Sequence, residues 1–271
     1  MPGTGKTATT LEVVKKLQRE SDFKKKGYSF EFIHINAMSL TNPNLVYTIL
    51  NEKITGRRIN PTSSATFLDE FFKKKDKIKV LKDRGFGKTK RSKQELDRLR
   101  GSADKLRVLL IDELDALVTK KQTLLYNLFD WPCHSHSKLL VIAIANTMDL
   151  PEKLQQKIAS RIGNNRLVYE PYNREQITKI IRSRITGTLE APQPGENPGI
   201  FDEKAIALVA SKVSSYSGDI RRSLQVAKRA LEITRDEFRE KYGNDFTKKL
   251  TQVTYKEVIS AFNELYNSKQ C

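Results

Sequence analysis

Cysteine is scarce in this chain: Cys133 and Cys271 are the only two among 271 residues. Two thiols do not make a disulfide framework, so a reducing compartment is the simplest setting. Histidine is limited to His34, His134 and His136. Cys133, His134 and His136 lie close together, but their spacing fits no standard zinc pattern and no second Cys/His pair exists, so metal binding there is not expected. No apolar run reaches the ~18 residues of a membrane-spanning helix, and the first residues show no signal-peptide pattern, so a membrane is not an expected partner. No Ser/His/Asp or Cys/His nucleophile arrangement stands out, and no internal repeat is found. Acidic charge is also in deficit, with 32 Asp and Glu against 49 Lys and Arg, a net charge of +17. Such an excess points to nucleic acid as a partner.

The excess is uneven. Between Lys73 and Arg107 there are 15 Lys and Arg and 5 Asp and Glu, so more than half of it sits in one basic insertion. A solvated, disordered insertion is one reading. A nonspecific contact to the DNA backbone and a nuclear-import signal around Lys88–Lys93 (KTKRSK) are the others. Apolar residues make up 38% of the chain, enough for one large domain or two modest ones.

The first seven residues, MPGTGKT, match a phosphate-binding loop, G-x-x-x-x-G-K-[ST], without its leading glycine. In such a loop the glycines let backbone N–H groups wrap phosphate oxygens, Lys6 reaches the β- and γ-phosphates, and the Thr7 hydroxyl holds Mg²⁺. The following residues place Leu11, Val14 and Leu17 on one helical face, so the loop feeds a helix N-terminus that favours anions. A phosphate-binding loop hangs from the end of a buried strand, which here would precede residue 1. The expectation is therefore an incomplete chain that folds poorly and binds ATP weakly until extended. Gly85-Phe86-Gly87-Lys88-Thr89 also contains G-x-G-K-T, but without a preceding strand pattern or a following apolar stripe it reads as basic loop.

Val108-Leu109-Leu110-Ile111-Asp112-Glu113 is an apolar strand ending in two acids, a Walker B pattern. Asp112 would join the Mg²⁺ shell and Glu113 would polarise the attacking water. An acidic helix cap after a strand has the same look; the upstream G-K-T favours the Walker reading. Asn146 ends the next apolar run and would orient water, unless it only forms a turn. Ser160-Arg161, expected just after a helix, could present an arginine finger, with Arg166 as local rival; surface arginine is the plainer reading of the residues alone. Gly218-Asp219 could cap a helix whose Arg221 reports the γ-phosphate, or simply open a basic helix.

Strands are expected at Tyr28–Ile35, Arg107–Ile111 and Leu139–Ala145, and helices at Asn44–Ile54 and Ser64–Lys74. This alternation argues for an α/β fold with a parallel sheet. Trp131-Pro132 is expected to end a helix and pack the rim. Beyond Pro171 only helices are expected, at Arg174–Ile185, Asp202–Val213, Gly218–Arg235 and Thr254–Tyr266, around a Pro/Gly-rich connector at Gly187–Gly199.

Taken together, PGTGKT, LLIDELD, LLYNLFDWP (Leu124–Pro132), IANTMDLPE (Ile144–Glu152), SRIG (Ser160–Gly163) and SGDIRRSL (Ser217–Leu224) strongly resemble the family of the largest subunit of the eukaryotic origin recognition complex, AAA+ initiator ATPases. The paralogous helicase-loading cell-division-control ATPase and a non-catalytic silencing scaffold are the alternatives. The resemblance implies a RecA-like αβα AAA+ domain over residues 1–170 and a small helical lid over residues 171–271, normally followed by a winged-helix domain. It implies ATP and Mg²⁺ as cofactors, with Gly3, Thr4, Gly5, Lys6, Thr7, Ala8, Asp112 and Arg221 at the nucleotide and Thr7 and Asp112 at the metal. Glu113 and Asn146 would serve hydrolysis, and Arg161 would reach a neighbour's nucleotide. Arg57 and Arg58 fall where initiators carry a DNA-facing insertion. The implied setting is the nucleus, and the implied partners are the other complex subunits, a helicase-loading AAA+ ATPase and double-stranded DNA.

Overall fold

The computed structural model describes residues 2–23, 30–147, 149–163, 165–186, 199–243 and 252–267. The chain divides into two compact units. One comprises Lys6–Leu167, and the other combines Met1–Gly5 with Val168–Cys271.

The first unit is built on three parallel strands, β1 (Phe30–Asn36), β2 (Leu106–Asp112) and β3 (Leu139–Ala143), in the order β1-β2-β3. β2 is central and reads as a continuous apolar run because both of its faces are covered; Leu109, Leu110 and Ile111 are fully buried. Each such side chain contributes about 1.5–3 kcal/mol through burial. The register pairs Asn36 with Asp112 and Ile111 with Ala143, so all three strands end at one edge, where open parallel sheets place their ligands.

Helices α1 (Lys6–Phe23), α2 (Leu45–Thr55), α3 (Pro61–Lys73), α4 (Lys77–Asp83), α5 (Lys90–Ala103), α6 (Thr123–Asp130), α7 (Leu150–Lys153) and α8 (Gln156–Ile162) complete this unit. α3 begins three residues before its expected start. The Asn60 side chain accepts from the Ser63 amide and Pro61 occupies the first turn, a combination that nucleates a helix N-terminus. Phe67, Phe71 and Phe72 of α3 meet Trp131 in the core. Trp131 is wholly buried, not on the rim, and its indole N–H donates to Asp69 at 3.2 Å. Tyr28, at the start of the first expected strand, lies outside the described residues.

The basic insertion is folded, contrary to a disordered reading, and Gly85–Thr89, expected as basic loop, lies in the turn between α4 and α5. Val80 and Leu81 of α4, Phe86 of the intervening turn, and Leu96 and Leu99 of α5 all join the main core. The stripe is narrow, but it is enough to seat two helices whose remaining faces are charged.

The second unit contains α9 (Arg174–Thr186), α10 (Glu203–Tyr216), α11 (Ile220–Tyr242) and α12 (Tyr255–Asn267). Its core gathers Ile177, Ile181, Val209, Val226, Val258 and Phe262. Among the described residues its β-structure is limited to one bridge, Phe201 with Val253. Most of the expected Gly187–Gly199 connector lies outside the described residues.

Candidate nucleotide-binding site

At the strand-end edge of the first unit, five of the expected residues meet. The Lys6 ammonium donates to Asn146 Oδ1 at 2.9 Å, and the Thr7 hydroxyl donates to Asp112 Oδ2 at 2.8 Å. Asn146 in turn donates from Nδ2 to Glu113 Oε2. Its amide satisfies both neighbours in only one orientation, oxygen toward the ammonium and nitrogen toward the carboxylate. The Glu113 amide donates to Asp112 Oδ1 at 3.0 Å.

Backbone geometry explains how two successive acids serve one edge. Asp112 ends β2 in extended conformation, whereas Glu113 adopts φ 58° and ψ 48°. That left-handed turn costs a non-glycine residue about 1–2 kcal/mol, and such cost concentrates at functional sites. It is offset by hydrogen bonds that extend the β2–β3 ladder past the strand ends, from Ile144 N to Ile111 O (2.9 Å) and from Leu114 N to Ile144 O (2.8 Å).

Asp115 escaped the sequence reading. Its carboxylate accepts from the Asn146 amide at 2.8 Å and from the Thr147 hydroxyl, so it fixes the segment that carries Asn146. Burial pushes the Asp115 pKa up, but these hydrogen bonds outweigh it and hold the group below its ordinary value. The signal available was its place in Asp112-Glu113-Leu114-Asp115, three residues beyond Asp112.

Arg161 lies within α8 and not after it. Its Nε donates to Asp130 at 2.8 Å and Nη2 to the Tyr126 hydroxyl at 2.9 Å, and its guanidinium sits 4.5 Å from the Tyr126 ring centroid. Arg166 is exposed. Arg58 is exposed, with Glu52 4.0 Å away. Arg57 is half-buried: Nε donates to Glu95 Oε2 at 3.1 Å, and the guanidinium lies 3.7 Å from the Phe86 ring centroid. Cys133 is exposed, and His134 Nε2 lies 3.2 Å from Asp130 Oδ2.

The glycines ahead of Lys6 belong to the second unit. Gly3 has φ +69°, and a Cβ there would lie 1.7 Å from Asp219 Oδ1, so only glycine fits. Asp219 caps α11 by accepting from the Arg221 amide at 2.8 Å, and Arg221 itself is exposed. Gly5 also has positive φ, +79°, Thr4 is buried and Ala8, in the first turn of α1, is exposed.

These residues fit a Mg²⁺–nucleoside triphosphate. Lys6 and Thr7 open helix α1, whose N-terminus favours an anion, and the Thr7 hydroxyl already faces the Asp112 carboxylate, a hard oxygen pair suited to Mg²⁺. Among the described residues no cluster of three or more His, Cys, Asp or Glu offers a different metal site.

Residues 1–168 match the ATPase family associated with various cellular activities (AAA). Residues 172–237 match the Cdc6/ORC-like ATPase lid domain. The chain is 36% identical over 269 residues to origin recognition complex subunit 1 of Cricetulus griseus, covering 99% of this chain and 27% of that protein. It is 40% identical over 233 residues to origin of replication complex subunit 1 of Oryza sativa subsp. japonica, covering 86% of this chain and 25% of that one. The chain thus spans about a quarter of the length of these relatives. Among solved structures, a chain in the structure of Drosophila ORC bound to DNA superimposes with a TM-score of 0.69 at 31% identity, covering 100% of this chain and 56% of that one.

Proposed function

We propose, for a chain that belongs to the AAA family of ATPases and carries a Cdc6/ORC-like lid, that it is the ATP-binding and ATP-hydrolysing part of an origin recognition complex subunit. In this reading it works in the nucleus with the other subunits, engages double-stranded origin DNA and helps load the replicative helicase together with a helicase-loading AAA+ ATPase. The observation that carries the reading is the chain of contacts Lys6–Asn146–Glu113 beside Thr7–Asp112.

Each side chain has a task. The loop Gly3–Thr7 with Ala8 wraps the phosphates, and Lys6 neutralises charge on the β- and γ-phosphates. Thr7 and Asp112 would hold Mg²⁺, which would supply positive charge to offset that of the phosphates. Glu113 polarises the attacking water; an ionised carboxylate has about four lone-pair positions, so it can accept from water while still accepting from Asn146. Asn146 keeps the carboxylate and the Lys6 ammonium in fixed relation. Arg161 is assigned to the nucleotide of an adjacent subunit, held ready by Asp130 and Tyr126. Arg221 is assigned to reporting the γ-phosphate from the lid. Arg57 and Arg58 are assigned to DNA phosphates, contacts that position the protein without reading sequence.

The test is Glu113→Gln in the assembled complex. ATP binding is retained and phosphate release falls by about 10²–10⁴-fold, the typical worth of a positioned base. Unchanged hydrolysis removes Glu113 from this role.

A further inference from the structure

We propose that the α4–α5 helix pair and the turn between α2 and α3 form one continuous face for the phosphate backbone of double-stranded DNA, on which Glu95 holds Arg57 until a phosphate replaces it. The proposal rests on the DNA-engaging part of the function above and extends it to a surface that Arg57 and Arg58 do not by themselves define.

Three observations support it. First, the basic segment is a fixed scaffold. Val80, Leu81, Phe86, Leu96 and Leu99 share a core with Ile54 of α2 and with Phe67, Leu68 and Phe72 of α3. Cations mounted on it therefore lose little freedom on binding, unlike those on a tail. Second, the outward side chains are predominantly basic. Lys79, Lys82, Lys88, Lys93 and Arg98 are all exposed, against exposed Asp76, Asp83 and Asp97. Asp97 is already partnered by Arg100 at 3.6 Å. Third, Arg57 joins the two parts. Its backbone carbonyl accepts from Asn51 Nδ2 at 2.7 Å, its guanidinium stacks on Phe86, and Glu95 of α5 fills its hydrogen-bonding edge.

That last arrangement has the form of an occupied anion site. Stacking on Phe86 orients the planar guanidinium, and one carboxylate oxygen, Glu95 Oε2, accepts from both Nε and Nη2, in the position that a phosphate oxygen would take. Side chains of Arg57 and Glu95 are each about one-third exposed (37% and 35%), so solvent weakens their attraction. A duplex presenting one charge per about 1.7 Å of its axis competes effectively for such an arginine. Acidic protein is the rival occupant, but 15 Lys and Arg against 5 Asp and Glu between Lys73 and Arg107 suit the dense, continuous charge of a duplex.

The experiment measures binding of this chain to a fluorescein-labelled duplex as a function of salt, between about 50 and 200 mM. The variants are Lys88→Ala/Lys93→Ala/Arg98→Ala, Glu95→Gln, Arg57→Ala, Arg58→Ala, and Glu95→Gln combined with Arg57→Ala. The triple variant is expected to flatten the slope of log K against log salt by about 2–3, near 0.9 per lost contact. Glu95→Gln is expected to bind severalfold more tightly, and that gain is expected to vanish when Arg57 is alanine. Circular dichroism checks that each variant folds. An unchanged slope in the triple variant, with Arg58→Ala still weakening binding, overturns the proposal and leaves the DNA reading intact. No change in any variant overturns both. Displacement of the duplex by poly-glutamate at equal charge concentration also overturns it, in favour of an acidic protein partner.

Discussion

The side-chain amide of Asn146 donates to the carboxylate of Glu113, joining the segments that follow two adjacent strands. The same amide accepts from Lys6. Replacing Asn146 with alanine should therefore cost turnover more than binding. We expect ATP affinity within a few-fold of the parent and kcat lowered by about 10–100-fold, the scale of a lost orienting hydrogen bond of roughly 1.4–2.7 kcal/mol. Asn146→Asp should do worse and should shift the acidic limb of the pH–rate profile upward, because two carboxylates in contact raise one another's pKa.

Asp115 anchors the Asn146 segment through the Asn146 amide and the Thr147 hydroxyl. Its pKa is below the ordinary value in the folded protein, hydrogen bonding having outweighed burial. The stability it supplies is thus present at neutral pH and is lost as pH falls through its depressed value. Asp115→Asn should lower the melting temperature at pH 7 and flatten its decline in acid. Parallel melting curves from pH 7 to about pH 3 check this, with kcat falling alongside.

Lys77, the first residue of α4, is buried, and its Nζ donates to Ala103 O at the end of α5 at 3.3 Å and to Ser137 O ahead of β3 at 3.4 Å. Burial, partly opposed by Asp104, lowers its pKa to about 8. The folded state then holds fewer protons than the unfolded state from about pH 8 up to the ordinary lysine value, and stability rises with pH across that window. Relative to Lys77→Met, the parent should gain stability between about pH 8 and pH 10. A stability difference that stays flat over this range contradicts the assignment.

Gly3 and Asp219 pack too closely for any side chain on the former, since a Cβ would lie 1.7 Å from Asp219 Oδ1. Gly3→Ala should displace the α11 cap and add about 1–2 kcal/mol of left-handed backbone cost. Asp219→Ala should cost about 1 kcal/mol as a lost cap. Combined, they should cost less than the sum, because removing the carboxylate removes the clash. Denaturant titration of the two single variants and the double variant measures that coupling.

The parts legible in the sequence were those written in consecutive residues. Val108–Glu113 announced a strand with acids at its tip, and the Asn146 side chain meets Glu113 as a strand-end position would. Helix α5 was not legible, because Leu96 and Leu99 are a thin stripe among charges and gain their meaning only from Phe86, Val80 and Leu81 folded against them. Trp131 looked like a rim residue beside Pro132, yet its indole N–H finds Asp69, 62 positions away in sequence, which makes full burial affordable. The Arg57–Glu95 pair spans 38 positions, and no local pattern encodes it. Asp115 was visible as a residue, but its partner segment lies 31 positions on.

The most direct test is equilibrium ATP binding by the assembled complex, with and without Mg²⁺, for the parent, Lys6→Ala and Thr7→Ala. The account predicts Mg²⁺-dependent binding in the parent, loss of binding in Lys6→Ala, and loss of the Mg²⁺ dependence in Thr7→Ala. Lys6→Ala binding ATP as tightly as the parent, with the same response to Mg²⁺, would contradict it.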